Sequence, residues 1–301
     1  MRPHPLLLAS ALALAACSPS PIGDPLAHRA EVEAWHAKRV ARLTSESGWL
    51  TLVGLYWLKP GANAFGRAPD NALVLDHAAL PAVLGEFLLA DGKVRFAARP
   101  AATVTHEGAP VGELVLASDA AAEGPTVLAA GSLRFFVIER AGNLGVRVRD
   151  VEHPLRTGFA GIGRYPVDPG WAIAARYERY PEPRRVKIVN VLGMTDEMTV
   201  PGALLFERDG NAYRLDAVLE APDADELFVM FADATSGRET YGAGRFLYLP
   251  LPEDDRALLD FNRAYNPPCA FNEFATCPLP PPQNRLALAV TAGEKDYHRA
   301  H

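Results

Sequence analysis

The side chains able to do chemistry gather between Phe231 and Lys295. Asp233, Asp260 and Glu294 are candidate catalytic carboxylates, since two carboxylates at a suitable separation suffice for acid–base work such as glycoside cleavage. Arg238 and Arg245 offer guanidinium forks that match a carboxylate or phosphate. Tyr241 adds a ring face and a hydroxyl, and Asn262 and Asn266 add amides. Gly237, Gly242 and Gly244 leave the loop free to turn backbone N–H groups toward an anion.

Three readings follow. The leading one is a pocket for a small polar or anionic ligand, bound by Arg238, Tyr241, Arg245, Asn262 and Asn266. The second is a hydrolase working with the carboxylates, or with Ser236 or Cys269, in the same pocket. The third is a structural cluster supporting protein contacts, with the arginines paired to Asp233 and Glu239 and the amides of Asn272 and Asn284 satisfying backbone. Whether the protein is an enzyme stays open, and no cofactor or metal is implied.

The histidines restrict the second reading. None lies between Pro154 and Tyr297, and Ser236 is not set in Gly-x-Ser-x-Gly. A serine mechanism would need His153, or a residue of the first half, brought across. Cys269 and Cys277 follow Cys17 as the remaining cysteines. Thiols this close in an oxidising compartment form a disulfide most simply. No histidine is near enough to complete a zinc ligand set, and a nucleophilic cysteine would need an activating base.

The compartment is read from the first residues. Arg2 precedes an apolar run from Leu6 to Ala16, the pattern of a signal peptide. Leu14-Ala15-Ala16-Cys17 resembles the lipobox of bacterial lipoproteins, which implies lipidation of Cys17 and anchoring to a membrane surface. Ser18, where inner-membrane retention would place Asp, implies the outer membrane, facing the periplasm. Trp49–Leu58 is apolar but only about half the ~20 residues needed to span a bilayer. With net charge -6 and no gathered basic face, nucleic acid is not an expected partner.

The elements that must position these groups are mainly β. The 24 Gly and 26 Pro punctuate the chain too often for long helices. One amphipathic helix is predicted over Pro25–Leu43, with Asp24 as cap and Val32, Trp35 or His36, Val40 and Leu43 on its apolar row. Residues 48–150 read as a β-sandwich with turns at Asp91-Gly92 and Ala141-Gly142. Residues 151–295 read as a second antiparallel β domain with Pro-rich loops. Its strands include Trp171–Tyr177, Val186–Val191 and the fully apolar Leu227–Phe231. Segments 1–16, 17–47 and 296–301 are the signal peptide, the lipidated tether with its helix, and a tail.

Two resemblances extend this. Leu58-Lys59-Pro60-Gly61, Phe65-Gly66-Arg67 and Pro69 to Leu75 are similar to the opening of a forkhead-associated domain, a β-sandwich whose loops bind phosphothreonine. Ala78 to Val83 stands where that family has Ser-x-x-His, so the fold is implied and phosphothreonine binding is not. Asp233 to Gly237, Thr240-Tyr241-Gly242, Gly244-Arg245, Asp260-Phe261-Asn262, Asn266 to Cys269, Cys277-Pro278 and Ala292 to Lys295 resemble the signature of the domain-of-unknown-function 1684 family. That likeness implies a shared fold and site, without an established activity.

Overall fold

The computed structural model describes residues 21–297. The predicted signal peptide, the predicted lipidation site Cys17 and the last residues of the tail lie outside the described residues. Helix α1 covers Pro25–Leu43, as the spacing predicts. Asp24 accepts the Leu26 N–H at 2.9 Å and Pro25 takes the first turn, where its missing N–H costs nothing. The buried row differs from the predicted one: it is His28, Val32, Arg39 and Leu43, while Trp35, His36 and Val40 are half-buried. A basic side chain can occupy a core row where the body offers it a carboxylate, and both His28 and Arg39 find one. Among the described residues no helix is long and apolar enough to cross a membrane.

The sandwich follows in chain order as β1 (Leu52–Trp57), β2 (Gly61–Gly66), β3 (Leu73–Val74), β4 (Gly85–Ala90), β5 (Lys93–Ala98), β6 (Thr105–His106), β7 (Ala109–Pro110), β8 (Glu113–Leu116), β9 (Leu128–Ala130), β10 (Leu133–Arg140) and β11 (Asn143–Asp150). One sheet runs β1-β11-β10-β9-β6-β7 and the facing sheet β3-β2-β4-β5-β8. Asp91-Gly92 and Ala141-Gly142 sit at positive φ, the tight hairpin conformation their sequences predict. Between the sheets Phe65, Phe87, Phe96 and Phe135 are fully buried, with neighbouring rings 4.9 to 6.1 Å apart. Truncating any one to Ala would cost about 3–5 kcal/mol.

A short helix α2 (Pro154–Thr157), capped by His153, leads into the second unit. Its strands are β12 (Ala172–Val189), β13 (Thr195–Arg208), β14 (Asn211–Leu219), β15 (Glu226–Phe231), β16 (Arg245–Pro250) and β17 (Arg256–Asp260). They form one sheet, β16-β15-β14-β13-β12-β17, curled nearly into a barrel. Two strands predicted at Trp171–Tyr177 and Val186–Val191 are one, β12. The chain passes Pro181 and Pro183 without breaking because register with β13 slips between Arg179 and Arg184, a bulge that releases prolines from ladder bonding. Strand β15 is buried on both faces: Leu227, Val229 and Phe231 point into the barrel, while Phe228 and Met230 pack outward under the segment around Ala275 and Cys277.

Candidate functional site

Strand β15 delivers Asp233 into a loop that closes on itself. Asp233 Oδ1 accepts from the Thr235 N–H at 2.6 Å and its hydroxyl at 2.5 Å. Its Oδ2 accepts from Arg245 Nη2 at 2.6 Å. Arg245 is fully buried, stacked over Phe231, and also donates to the carbonyls of Val290 and Ala292. Burial pulls its pKa down and Asp233 opposes that. A guanidinium enclosed in this way ties the tail to β16 and has no surface left for a ligand.

The other two carboxylates meet basic side chains from α1. Glu294 is almost fully buried and accepts from Arg39 Nε at 2.5 Å, Arg39 Nη2 at 3.1 Å and the Asn266 N–H at 2.7 Å. Gly293, at φ 76, precedes it with its Cα so near the Ala264 carbonyl that a Cβ would fall 2.4 Å from that oxygen. Only glycine permits this approach. Asp260 accepts from His28 Nε2 at 2.9 Å and from the Asn262 amide at 2.9 Å. Asp260 and Asn262 meet because a 3-10 turn follows β17, not because they alternate along a strand.

The predicted ligand residues therefore take separate places. Arg245 is in the core. Asn262 bridges the N–H and carbonyl of Asp168, and Asn266 donates to the Lys295 carbonyl at 2.7 Å. Tyr241 is half-buried and donates to the Cys269 carbonyl at 3.0 Å, with burial pushing its phenol pKa up. Arg238 lies on the exposed rim of the loop. Asn272 and Asn284, read as structural, bind the backbone of Trp49, Asp216 and Met230. Cys269 and Cys277 are present as thiols, with Cys277 Sγ 3.1 Å from the Cys269 amide nitrogen. The hydrogen bond from Cys277 lowers the Cys269 pKa, and burial raises that of Cys277.

The open space lies beside these knots. A cleft of about 1160 Å³ runs between α1 and the outer face of the second sheet. Its aromatic wall is Phe228, Phe246, Tyr248 and Tyr265. Phe228 stacks on Tyr248 at 4.9 Å, Tyr248 on Tyr265 at 6.2 Å, and Trp35 of α1 tilts against Tyr265 at 6.2 Å. Burial pushes both phenols up, and Tyr248 donates to Glu220 at 2.6 Å. Lys38 and Arg42 stand exposed along the helix side and make no ion pair among the described residues. A smaller cleft of about 390 Å³ opens at the helix start, lined by His28, Asp260, Arg263 and Leu258. Tyr248, Pro250 and Arg263 line both.

Sequence reasoning missed this wall, although a signal was there. Phe246-Leu247-Tyr248-Leu249 alternates aromatic and aliphatic, so that one face of β16 fills the barrel and the other presents rings. The missed basic partners, His28 and Arg39, sat on the buried helical row.

The family model for Protein of unknown function (DUF1684) matches residues 157–295. An uncharacterized protein of Haloarcula marismortui, solved in solution by NMR, is 34% identical over 46% of this chain and 78% of its own, with a TM-score of 0.40. The chain belongs to the DUF1684 family. No curated protein matches it. Two forkhead-associated domain structures are also similar. One is the FhaA domain complexed with an intracellular protein domain, at 20% identity, covering 32% of this chain and 94% of that one, TM-score 0.24. The other comes from a study of phosphothreonine-dependent interactions, at 22% identity, 33% and 96%, TM-score 0.23.

The matched DUF1684 span contains Asp233, Arg245, Asp260 and Glu294. The basic side chains that meet Asp260 and Glu294 come from α1, well before it. Helix and matched span make one structural unit, and the large cleft lies where they join.

Proposed function

We propose that this DUF1684 protein is a lipid-anchored protein of the bacterial outer membrane, facing the periplasm, that binds a small anionic ligand with an apolar or aromatic body in the large cleft. The observation that carries this is the cleft's composition: stacked rings on one wall, with Lys38 and Arg42 on the other. Its volume of about 1160 Å³ exceeds the usual range for small-molecule sites, about 300–1,000 Å³, and leaves ample room for a small ligand. Ring faces take apolar area, and rim cations attract and orient an anion. The anchor at Cys17 rests on the lipobox alone. The polar signature of residues 233–295 acts as the frame that holds α1 in place, and so shapes the cleft without lining most of it.

A thermal-shift screen of the chain from Ser18, against aromatic and aliphatic phosphates, carboxylates, envelope sugars and amino acids, tests this. A ligand present at about 100 times its dissociation constant adds about 2.7 kcal/mol of stability. The expected hits are anions with an apolar body, and Tyr248→Ala should remove their effect. Absence of a shift for every class, or hits indifferent to Tyr248→Ala, overturns the reading.

A further inference from the structure

We propose that Thr276, backed by Arg140 and Arg147, forms an oxyanion site at one end of the large cleft and takes the phosphate or carboxylate group of the ligand. This rests on the cleft being a ligand site and goes further by assigning which end holds the charge. Thr276 and Arg140 line the cleft beside Trp49 and Cys277. Arg140 closes β10, Arg147 lies in β11, and Thr276 belongs to the segment covering the outer face of the second sheet. The site is therefore shared between the sandwich and the barrel.

The chemistry follows from the hydroxyl. Thr276 Oγ1 accepts from Arg140 Nε at 3.2 Å and from Arg147 Nη2 at 3.4 Å. A hydroxyl has two lone pairs and one proton. With guanidinium groups on the acceptor side, the proton is what Thr276 has left to give, and among the described residues it gives it to none. Two cations behind the oxygen polarise that O–H and make it a stronger donor to an anion.

The arginines are not equivalent. Arg140 holds Asp119 in a two-point pair at 3.0 and 2.8 Å, so its charge is largely compensated. Arg147 is 2% exposed and makes no ion pair among the described residues. Its guanidinium lies 5.4 Å over Trp49, and its Nε makes no hydrogen bond. Burial, with Arg140 nearby, pulls its pKa down to about 10. Arg149, two residues along the strand, also has a buried, unbonded Nε. Asp119, already paired with Arg140, offsets only part of the pull on Arg147. Buried cations without a carboxylate of their own are costly, and an oxyanion on Thr276 would offset that cost.

The test uses the full chain in mild detergent with phenyl phosphate, benzoate and benzyl alcohol, read by thermal shift and titration. These separate a phosphate, a carboxylate and a neutral body of similar size. One of the two anions should bind and benzyl alcohol should not. Thr276→Val, nearly isosteric, should weaken that anion by about tenfold or more, the scale of one hydrogen bond to a charged group. Thr276→Ser should restore it, while the midpoint without probe stays near that of the parent. Equal binding by parent and Thr276→Val, or benzyl alcohol binding as well as the anions, overturns the oxyanion site. If Tyr248→Ala still abolishes binding in that case, the cleft stands without it. Binding of none of the three overturns both.

Discussion

Arg39, midway along the N-terminal helix, places two guanidinium nitrogens on the two carboxylate oxygens of Glu294, 255 residues later in the chain. The pair is buried, with Tyr265 4.4 Å beneath the guanidinium. Removing one partner of such a pair leaves a desolvated charge and costs about 3–5 kcal/mol. Arg39→Ala should lower stability in urea by that amount. Arg39→Met combined with Glu294→Leu should cost less than the single changes added together. A loss under about 1 kcal/mol for Arg39→Ala would mean the pair does not hold the helix.

Arg245 and Asp233 give the same arithmetic without the helix. Both side chains are wholly enclosed, so Arg245→Ala should destabilise by about 3–5 kcal/mol. Whatever protein folds should bind the cleft ligand with unchanged affinity. A selective loss of binding with little loss of stability would return Arg245 to the ligand site.

Alkaline pH should loosen the fold through Tyr165. Burial, and its hydrogen bond to Glu239 at 3.0 Å, push the Tyr165 phenol up to about 12. Its ordinary value is 10.0, so between the two the unfolded chain releases a proton that the folded one retains. Stability is therefore complete below pH 10 and falls as pH rises toward about 12. Tyr165→Phe should flatten that part of the profile, measured by urea unfolding at stepped pH. An unchanged slope would assign the loss to other groups.

Cys269 and Cys277 should be found bridged in protein exported to the periplasm, given that Cys277 Sγ already lies 3.1 Å from the Cys269 amide nitrogen. Alkylation after denaturation without reductant should then find neither thiol. Closing so short a loop should add about 2–3 kcal/mol on the chain-entropy model. Two reactive thiols would refute the bridge.

Much of the fold was legible because its signals are local. The cap at Asp24 and the turns at Asp91-Gly92 and Ala141-Gly142 need no knowledge of the rest of the chain. The long strand β12 was not legible, because Pro181 and Pro183 read as breaks until β13 is known to slip past them. The candidate site failed for a related reason. Composition told that Asp233, Arg245, Asn262 and Glu294 act together. It could not tell that they are taken up separately, Arg245 closing on Asp233 while Asp260 and Glu294 meet His28 and Arg39 from more than 200 residues away. The rings of Phe246 and Tyr248 were readable as one face of a strand, but no local rule marked that face as the wall of a cleft.

The fastening of α1 to the last strand and tail has a consequence for how the chain is made. A polypeptide threaded from its N-terminus presents His28 and Arg39 long before Asp260 and Glu294 have emerged. The helix must wait, undocked, until nearly the whole chain has followed, and closing so distant a contact is slow. The structure locks last at its beginning.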